Sequence, residues 1–160
     1  MSTGEMTHID PQGRLKMVDV SEKAPTRREA GAEAFVSLSA ETLRRIGSGD
    51  VPKGNVYEAA RLAGIMAAKR TWELIPLCHQ LQLTGIEVDF FTDESKNEIK
   101  ICSRVTTNDR TGVEMEALVA VAVAALTLYD MCKAIDRGIT IREARLTFKT
   151  GGKSGRFERG

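Results

Sequence analysis

The segment Thr127-Leu128-Tyr129-Asp130-Met131-Cys132-Lys133 sets a carboxylate and an ammonium three residues apart, near the end of an apolar run. From Glu114 to Asp136 the chain is dominated by Ala, Val and Leu and holds neither Pro nor Gly. Positions i and i+3 share a face of a helix, so Asp130 and Lys133 project together. An unpaired ion in such a setting is costly or shifts its pKa. Two readings follow: a plain ion pair at the solvated end of a core helix, or two charged groups aimed together at something bound. On residue types alone the ion pair is favoured, because charge pairs on helices are commonplace.

Three further segments carry groups that could do chemistry. In Lys69-Arg70-Thr71-Trp72-Glu73-Leu74-Ile75-Pro76-Leu77-Cys78-His79 a basic helix end runs into an apolar loop that finishes in a histidine. The bland reading is that Lys69 and Arg70 complement a helix C-terminus and that His79 is a turn residue. Thr111-Gly112-Val113-Glu114-Met115-Glu116 places acids in a first helical turn, which the helix dipole also favours. Lys149-Thr150-Gly151-Gly152-Lys153-Ser154-Gly155 brings to mind a phosphate loop. The Walker pattern needs glycine where Thr147 stands, and a helix after it, so that motif is rejected. A basic tail closing over a phosphate is still compatible with these residues.

Composition narrows the classes. A chain of 160 residues with 42% hydrophobic and 28% charged residues reads as one globular domain, residues 1–160. A net charge of +1 means that any anion site must be local. Aromatic residues at 5% are too few for a base-stacking surface, which argues against nucleic acid. No charge-free apolar stretch reaches the ~18 residues of a membrane span. Met1 to Met6 lacks the pattern of a signal peptide. Cys78, Cys102 and Cys132 are odd in number and widely spaced, without a Cys-x-x-Cys, so a reducing cytoplasm is expected. With only His8 and His79 as imidazoles, a zinc site at Cys78-His79 is disfavoured and no metal is expected.

These groups need elements to position them. Residues 1–30 read as an extended arm. A strand is expected at Ala34–Leu38, then a short helix from Ala40 to Ile46, capped by Ser39 and stopped at Gly47. Asn55, with Glu58 three residues on, opens a helix over Val56–Leu74 that Pro76 ends. Ile86–Phe91 and Ile99–Val105 alternate as a hairpin. Thr111 and Glu114 form a capping box for the apolar helix, with Gly138 as its stop. A last strand covers Thr140–Lys149, before a flexible glycine-rich tail at 150–160. This is the order of an α+β, ferredoxin-like antiparallel sheet with helices on one face and one extra helix. The other face of the sheet needs solvent or a partner.

Taken together, these blocks closely resemble the MoaC family, the cyclic pyranopterin monophosphate synthases of molybdenum cofactor biosynthesis. The resemblance starts at Met17-Val18-Asp19-Val20 and runs through Lys53-Gly54-Asn55-Val56, Ala63-Gly64-Ile65-Met66-Ala67-Ala68-Lys69 and Leu74-Ile75-Pro76-Leu77-Cys78-His79. It continues in Thr111-Gly112-Val113-Glu114-Met115-Glu116-Ala117-Leu118 and Tyr129-Asp130-Met131-Cys132-Lys133-Ala134, and ends at Gly151-Gly152-Lys153-Ser154-Gly155. Gln80 stands where many members have proline, which removes a fixed φ from the loop but no reactive group.

The resemblance implies a lyase acting on (8S)-3′,8-cyclo-7,8-dihydroguanosine 5′-triphosphate, a cyclised GTP. It would open the purine-derived ring, build the pyrazine ring, close a cyclic phosphate and release pyrophosphate. No redox cofactor is implied, and Mg²⁺ on the triphosphate is allowed. The family's usual assembly is a homohexamer, a trimer of dimers with active sites at subunit interfaces. By the same resemblance Asp130 and Lys133 are the acid–base pair and Lys69 is a further acid. Arg28, Lys149, Lys53 and Lys153 neutralise phosphates. Leu77, Cys78 and His79 form one pocket wall and Met115 and Glu116 the other, with Glu116 suited to a guanine-type N–H edge and Glu114 holding lysines in place. Two other classes stay in view: a nucleotide sensor of the same fold without catalysis, and a nucleic-acid binder, the latter poorly supported by charge and aromatic content.

Overall fold

The computed structural model describes residues 8–160. Its elements are β1 (Thr26–Ser37), α1 (Ala40–Ser48), α2 (Val56–Ala68), α3 (Thr71–Leu74), β2 (Leu83–Asp93), β3 (Glu98–Asp109), α4 (Glu114–Cys132), β4 (Thr140–Thr150) and β5 (Phe157–Glu158). The strands form one antiparallel sheet in the order β2-β3-β1-β4-β5. Apart from the two-residue β5, this is the expected α+β, ferredoxin-like arrangement. Alternation along β1 sends Ala30, Ala32, Ala34 and Val36 to one face, each at most 1% exposed, where they meet Ile99, Ile101 and Val105 of β3 and the helices above. The opposite face is charged. Glu33 bonds Lys100 at 3.1 Å and Arg145 at 2.7 Å, and Glu29 meets Arg104 at 3.0 Å.

α4 is long and apolar enough to cross a membrane by composition. Here Ala117, Ala120, Val121, Ala124, Ala125 and Leu128 are fully buried between the sheet and α2, which makes it a core helix. α2 packs against it antiparallel and close. A Cβ on Gly64 would stand 2.8 Å from the Ala120 carbonyl oxygen, so only glycine admits this approach.

Several boundaries differ from the sequence reading. β1 begins at Thr26, so the last residues assigned to the arm are strand, paired to β3 where the local pattern is polar. The helix expected over Val56–Leu74 breaks at Lys69-Arg70. Buried Thr71 turns its hydroxyl back to the Ala68 carbonyl at 3.1 Å, satisfying a helix end that would otherwise be orphaned. Thr111 does not cap α4: Val113 is the N-cap, with no side-chain bond, and the Glu114 carboxylate folds against Gly112 instead. Ser39 and Asn55 do cap their helices, accepting from the Thr42 and Glu58 amides. Gly49, at φ 74°, ends α1 rather than Gly47.

Candidate active site

Antiparallel pairing brings three strand ends together at one end of the sheet. The start of β1 lies beside the end of β3, with Arg28 opposite Thr107, and beside the end of β4, with Glu29 opposite Thr150. The cleft there, about 590 Å³, is lined by five basic side chains, Lys23, Arg28, Arg110, Lys149 and Lys153, against two carboxylates, Glu29 and Glu114. Such an excess of cations in a concave, low-dielectric wall attracts anions. Arg28 is held in place: its Nε–H donates to the Asp109 carbonyl at 2.9 Å and its Nη2–H to the Arg110 carbonyl at 3.0 Å. The tail crosses directly over this guanidinium at Gly152, φ 74°, where a Cβ would collide with it. Lys149 donates to the Ser154 hydroxyl, which ties the tail to β4.

A second cleft of about 470 Å³ adjoins the first and shares Lys23, Thr111, Gly112 and Glu114 with it. Leu77, Cys78 and His79 form one wall, and Met115 and Glu116 another. His79 Nε2 lies 2.8 Å from the Val18 carbonyl, which can only accept, so Nε2 carries the proton. Glu116 is only 4% exposed. Burial, helped by the Glu114 charge, pushes its carboxyl up to about 7. Burial raises the Cys78 thiol too, followed by the charge of Glu116, so this cysteine is not an activated thiolate.

Asp130 sits at the far end of α4. Its carboxylate is gripped from both sides, by Lys133 Nζ at 2.6 Å and Lys53 Nζ at 2.6 Å, and Lys53 also donates to the Asp130 carbonyl at 2.9 Å. The hydrogen bonds from Lys133 and then Lys53 hold Asp130 down at about 2. The same contact raises Lys133. The pair therefore stays charged, and the lysine is not tuned downward. Lys53 belongs to this cluster rather than to the basic cleft. At ~1.5 Å rise per residue, Glu116 and Asp130 are about 21 Å apart along the helix.

The matching family model is described as the MoaC family and covers residues 17–152. The chain belongs to the MoaC family. It is 57% identical over 153 residues to a cyclic pyranopterin monophosphate synthase of Desulforapulum autotrophicum, spanning 96% of this chain and 94% of the relative. It is 58% identical over 154 residues to the enzyme of that name from Pelotomaculum thermopropionicum, at 96% and 91% coverage. The counterpart in Brevibacillus brevis is 55% identical over 159 residues, at 99% and 98%.

In this MoaC-family chain the residues singled out by sequence fall into two groups. Arg28, Lys149, Lys153, Glu114, Leu77, Cys78, His79, Met115 and Glu116 share the two adjoining clefts. Asp130, Lys133 and Lys53 form the other group. Lys69 is the C-cap of α2, which runs antiparallel to α4, so it lies toward the Glu116 end, though it lines neither cleft. Sequence reading missed Lys23 and Arg110. Neither sits in a motif; they converge only through the β1–β3 register, which pairs Thr26 with Asp109. It also missed that the segment holding Val18 and Val20 walls the second cleft. Among the described residues no group of three or more His, Cys, Asp or Glu is placed to hold a metal ion.

Proposed function

We propose that this chain converts (8S)-3′,8-cyclo-7,8-dihydroguanosine 5′-triphosphate to cyclic pyranopterin monophosphate and pyrophosphate, as a lyase in molybdenum cofactor biosynthesis. The observation that carries this is the continuity of the two clefts: a strongly basic one that suits a triphosphate, opening into one with a buried acid and an apolar wall that suits a purine-derived ring. Both volumes lie in the range of small-molecule sites. Membership of the family and relatives named for this reaction support the same reading.

Arg28, Lys149 and Lys153, with Lys23 and Arg110, take the phosphates. Lys133 supplies a proton in ring opening and closure, and Asp130 fixes the Lys133 and Lys53 ammoniums side by side. Lys69 is a further acid at the ring end. The chemistry is not redox and needs no redox cofactor; Mg²⁺ on the triphosphate is compatible with it. The ~21 Å along α4 between Glu116 and Asp130 supports a site shared between copies. We read the site as completed between copies, in a cytoplasmic homohexamer built as a trimer of dimers, the assembly that the family resemblance implies. Exposed Leu62 and Met66 on α2 and Leu126 on α4 supply apolar surface for such contacts.

The test is turnover. The purified protein is incubated with the cyclised GTP, and both pyrophosphate and the pterin product are assayed, with Asp130→Ala in parallel. Product from the natural chain and little from the folded variant is expected. Unchanged turnover in the variant removes Asp130 from the mechanism, and tight binding without product makes the protein a sensor.

A further inference from the structure

Asp130 and Lys133 lie at the end of α4, whereas Lys53, which grips the same carboxylate, comes from the loop after α1. The two segments are far apart in sequence, so another contact must hold them at hydrogen-bond distance. α1 packs less closely against the sheet than α2 and α4 do. Among the described residues, α1 and its cap reach a distant segment by hydrogen bonds at one side chain, Asp136, in the turn after α4. Asp136 Oδ2 accepts from the Ser39 amide at 2.9 Å and from the buried Thr42 hydroxyl at 3.2 Å. Its Oδ1 accepts from the Gly138 amide at 2.9 Å. The Ser39 amide is the main influence holding this carboxyl below the ordinary carboxylate range, so it is an anion at neutral pH.

In a capping box, a Glu or Gln three residues after the N-cap reaches back to the N-cap amide. α1 has Thr42 at that position, and Asp136, 97 residues along from Ser39, fills the role from another element. From this anchor the path to Lys53 is stiff. α1 spans about 14 Å and ends at Gly49, φ 74°. The Arg45 guanidinium bonds the Asp50 carbonyl at 2.9 Å and its carboxylate at 3.2 Å. Val51 is buried, and the Gly54 amide donates to the Val51 carbonyl at 2.9 Å, closing a turn around Pro52 and Lys53. We infer that Asp136 is a positioning residue for the acid–base cluster: it pins α1 to the end of α4 and so sets Lys53 beside Asp130 and Lys133. This rests on reading that cluster as part of the reaction site. Released from Asp136, α1 can swing away and carry Lys53 with it. Asp130 and Lys133, three residues apart on one helix, stay together. The basic cleft, lined from other segments, is not touched.

The test compares Asp136→Ala, Asp136→Asn and Thr42→Val with the natural full-length protein by steady-state turnover of the cyclised GTP. The crystal structure of the alanine variant is solved in parallel. Asn keeps an acceptor oxygen toward Ser39 and Thr42 and gives up only the Gly138 bond; Thr42→Val removes one of the two ties and keeps the side-chain shape. For Asp136→Ala, kcat should fall roughly ten- to a hundredfold with KM little changed, the effect of a small misplacement at a reacting group. Asp136→Asn should keep most of the kcat, and Thr42→Val should fall between. In the alanine variant's structure Lys53 Nζ should lie out of reach of the Asp130 carboxylate. A kcat within twofold of the natural chain, an Asn variant as slow as the Ala variant, or a Lys53–Asp130 contact left intact overturns the inference. A natural chain that makes no product overturns the proposed function instead, and the Lys53–Asp130 distance in the variant then decides the inference by itself.

Discussion

The two ends of α4 each carry a carboxylate, and the two behave in opposite ways. Glu116 lies in the first turn, where the dipole favours the anion, yet burial and Glu114 raise it to about 7. Asp130 lies in the last turn, where the dipole disfavours the anion, yet Lys133 and Lys53 hold it at about 2. The dipole is worth ~0.3–1 kcal/mol, less than a tenfold step in an equilibrium. Enclosure at one end and two ammoniums at 2.6 Å at the other override it. One helix thus presents a proton-holding acid in a cleft and a fixed anion on the surface. Neither is set by residue type or by helix position; both are set by what packs alongside.

The contrast can be broken most forcefully at the level of activity. Lys133→Ala should cut turnover by roughly 10²–10⁴-fold, the range for an acid–base group. Arg28→Ala, at the other end, should also fail. If one site takes the Asp130 cluster from one copy and the clefts from another, unfolding and refolding the two variants together restores part of the activity. Mixtures as inactive as their components would put a complete site within each chain.

The spacer between the ends is the next target. Gly64→Val forces a side chain against the Ala120 carbonyl and should cost about 1–3 kcal/mol of stability by overpacking, read as a lower melting temperature. A variant as stable as the parent would mean that α2 and α4 can part without penalty.

The smallest effect sharpens the comparison through pH. For Glu116 the folded value is raised from 4.5, so the unfolded chain ionises first. Its contribution to stability is full below about pH 4.5 and is lost as pH rises to about 7. Glu116→Gln should remove that slope, a gain of up to roughly 3 kcal/mol at pH 8. Asp130 has the opposite sign. Its folded value is depressed, so what it contributes is present above about pH 4 and fades as pH falls toward 2. Being exposed and screened, Asp130→Asn should leave the melting temperature at neutral pH unchanged. Parallel pH slopes for the two variants would show that the ends are not distinct.

Much of this was legible in the chain. Alternation located the cores of β2 and β3, because a half-buried sheet imposes a period of two whatever lies beyond it. Ser39 and Asn55 were readable as caps since a cap bonds an amide three residues away, wholly within the local sequence. The i,i+3 spacing of Asp130 and Lys133 gave their contact for the same reason. What failed was equally local in appearance and non-local in cause. Thr111 has the spacing of a cap, but Val113 takes the cap position without a side-chain bond, and Glu114 turns to Gly112. The polar start of β1 carries no strand pattern of its own and is held by its partner strands.

By itself the sequence determined the α+β order, the caps and the residue blocks that mark the family, all of which rest on interactions a few residues long. Only the tertiary structure decided that Lys23 and Arg110 join Arg28 in one basic cleft, that Lys53 pairs with Asp130, and that Glu116 is enclosed. Charge clustering and desolvation depend on which distant segments the sheet register and helix packing bring within a few ångströms, and no local pattern encodes that distance.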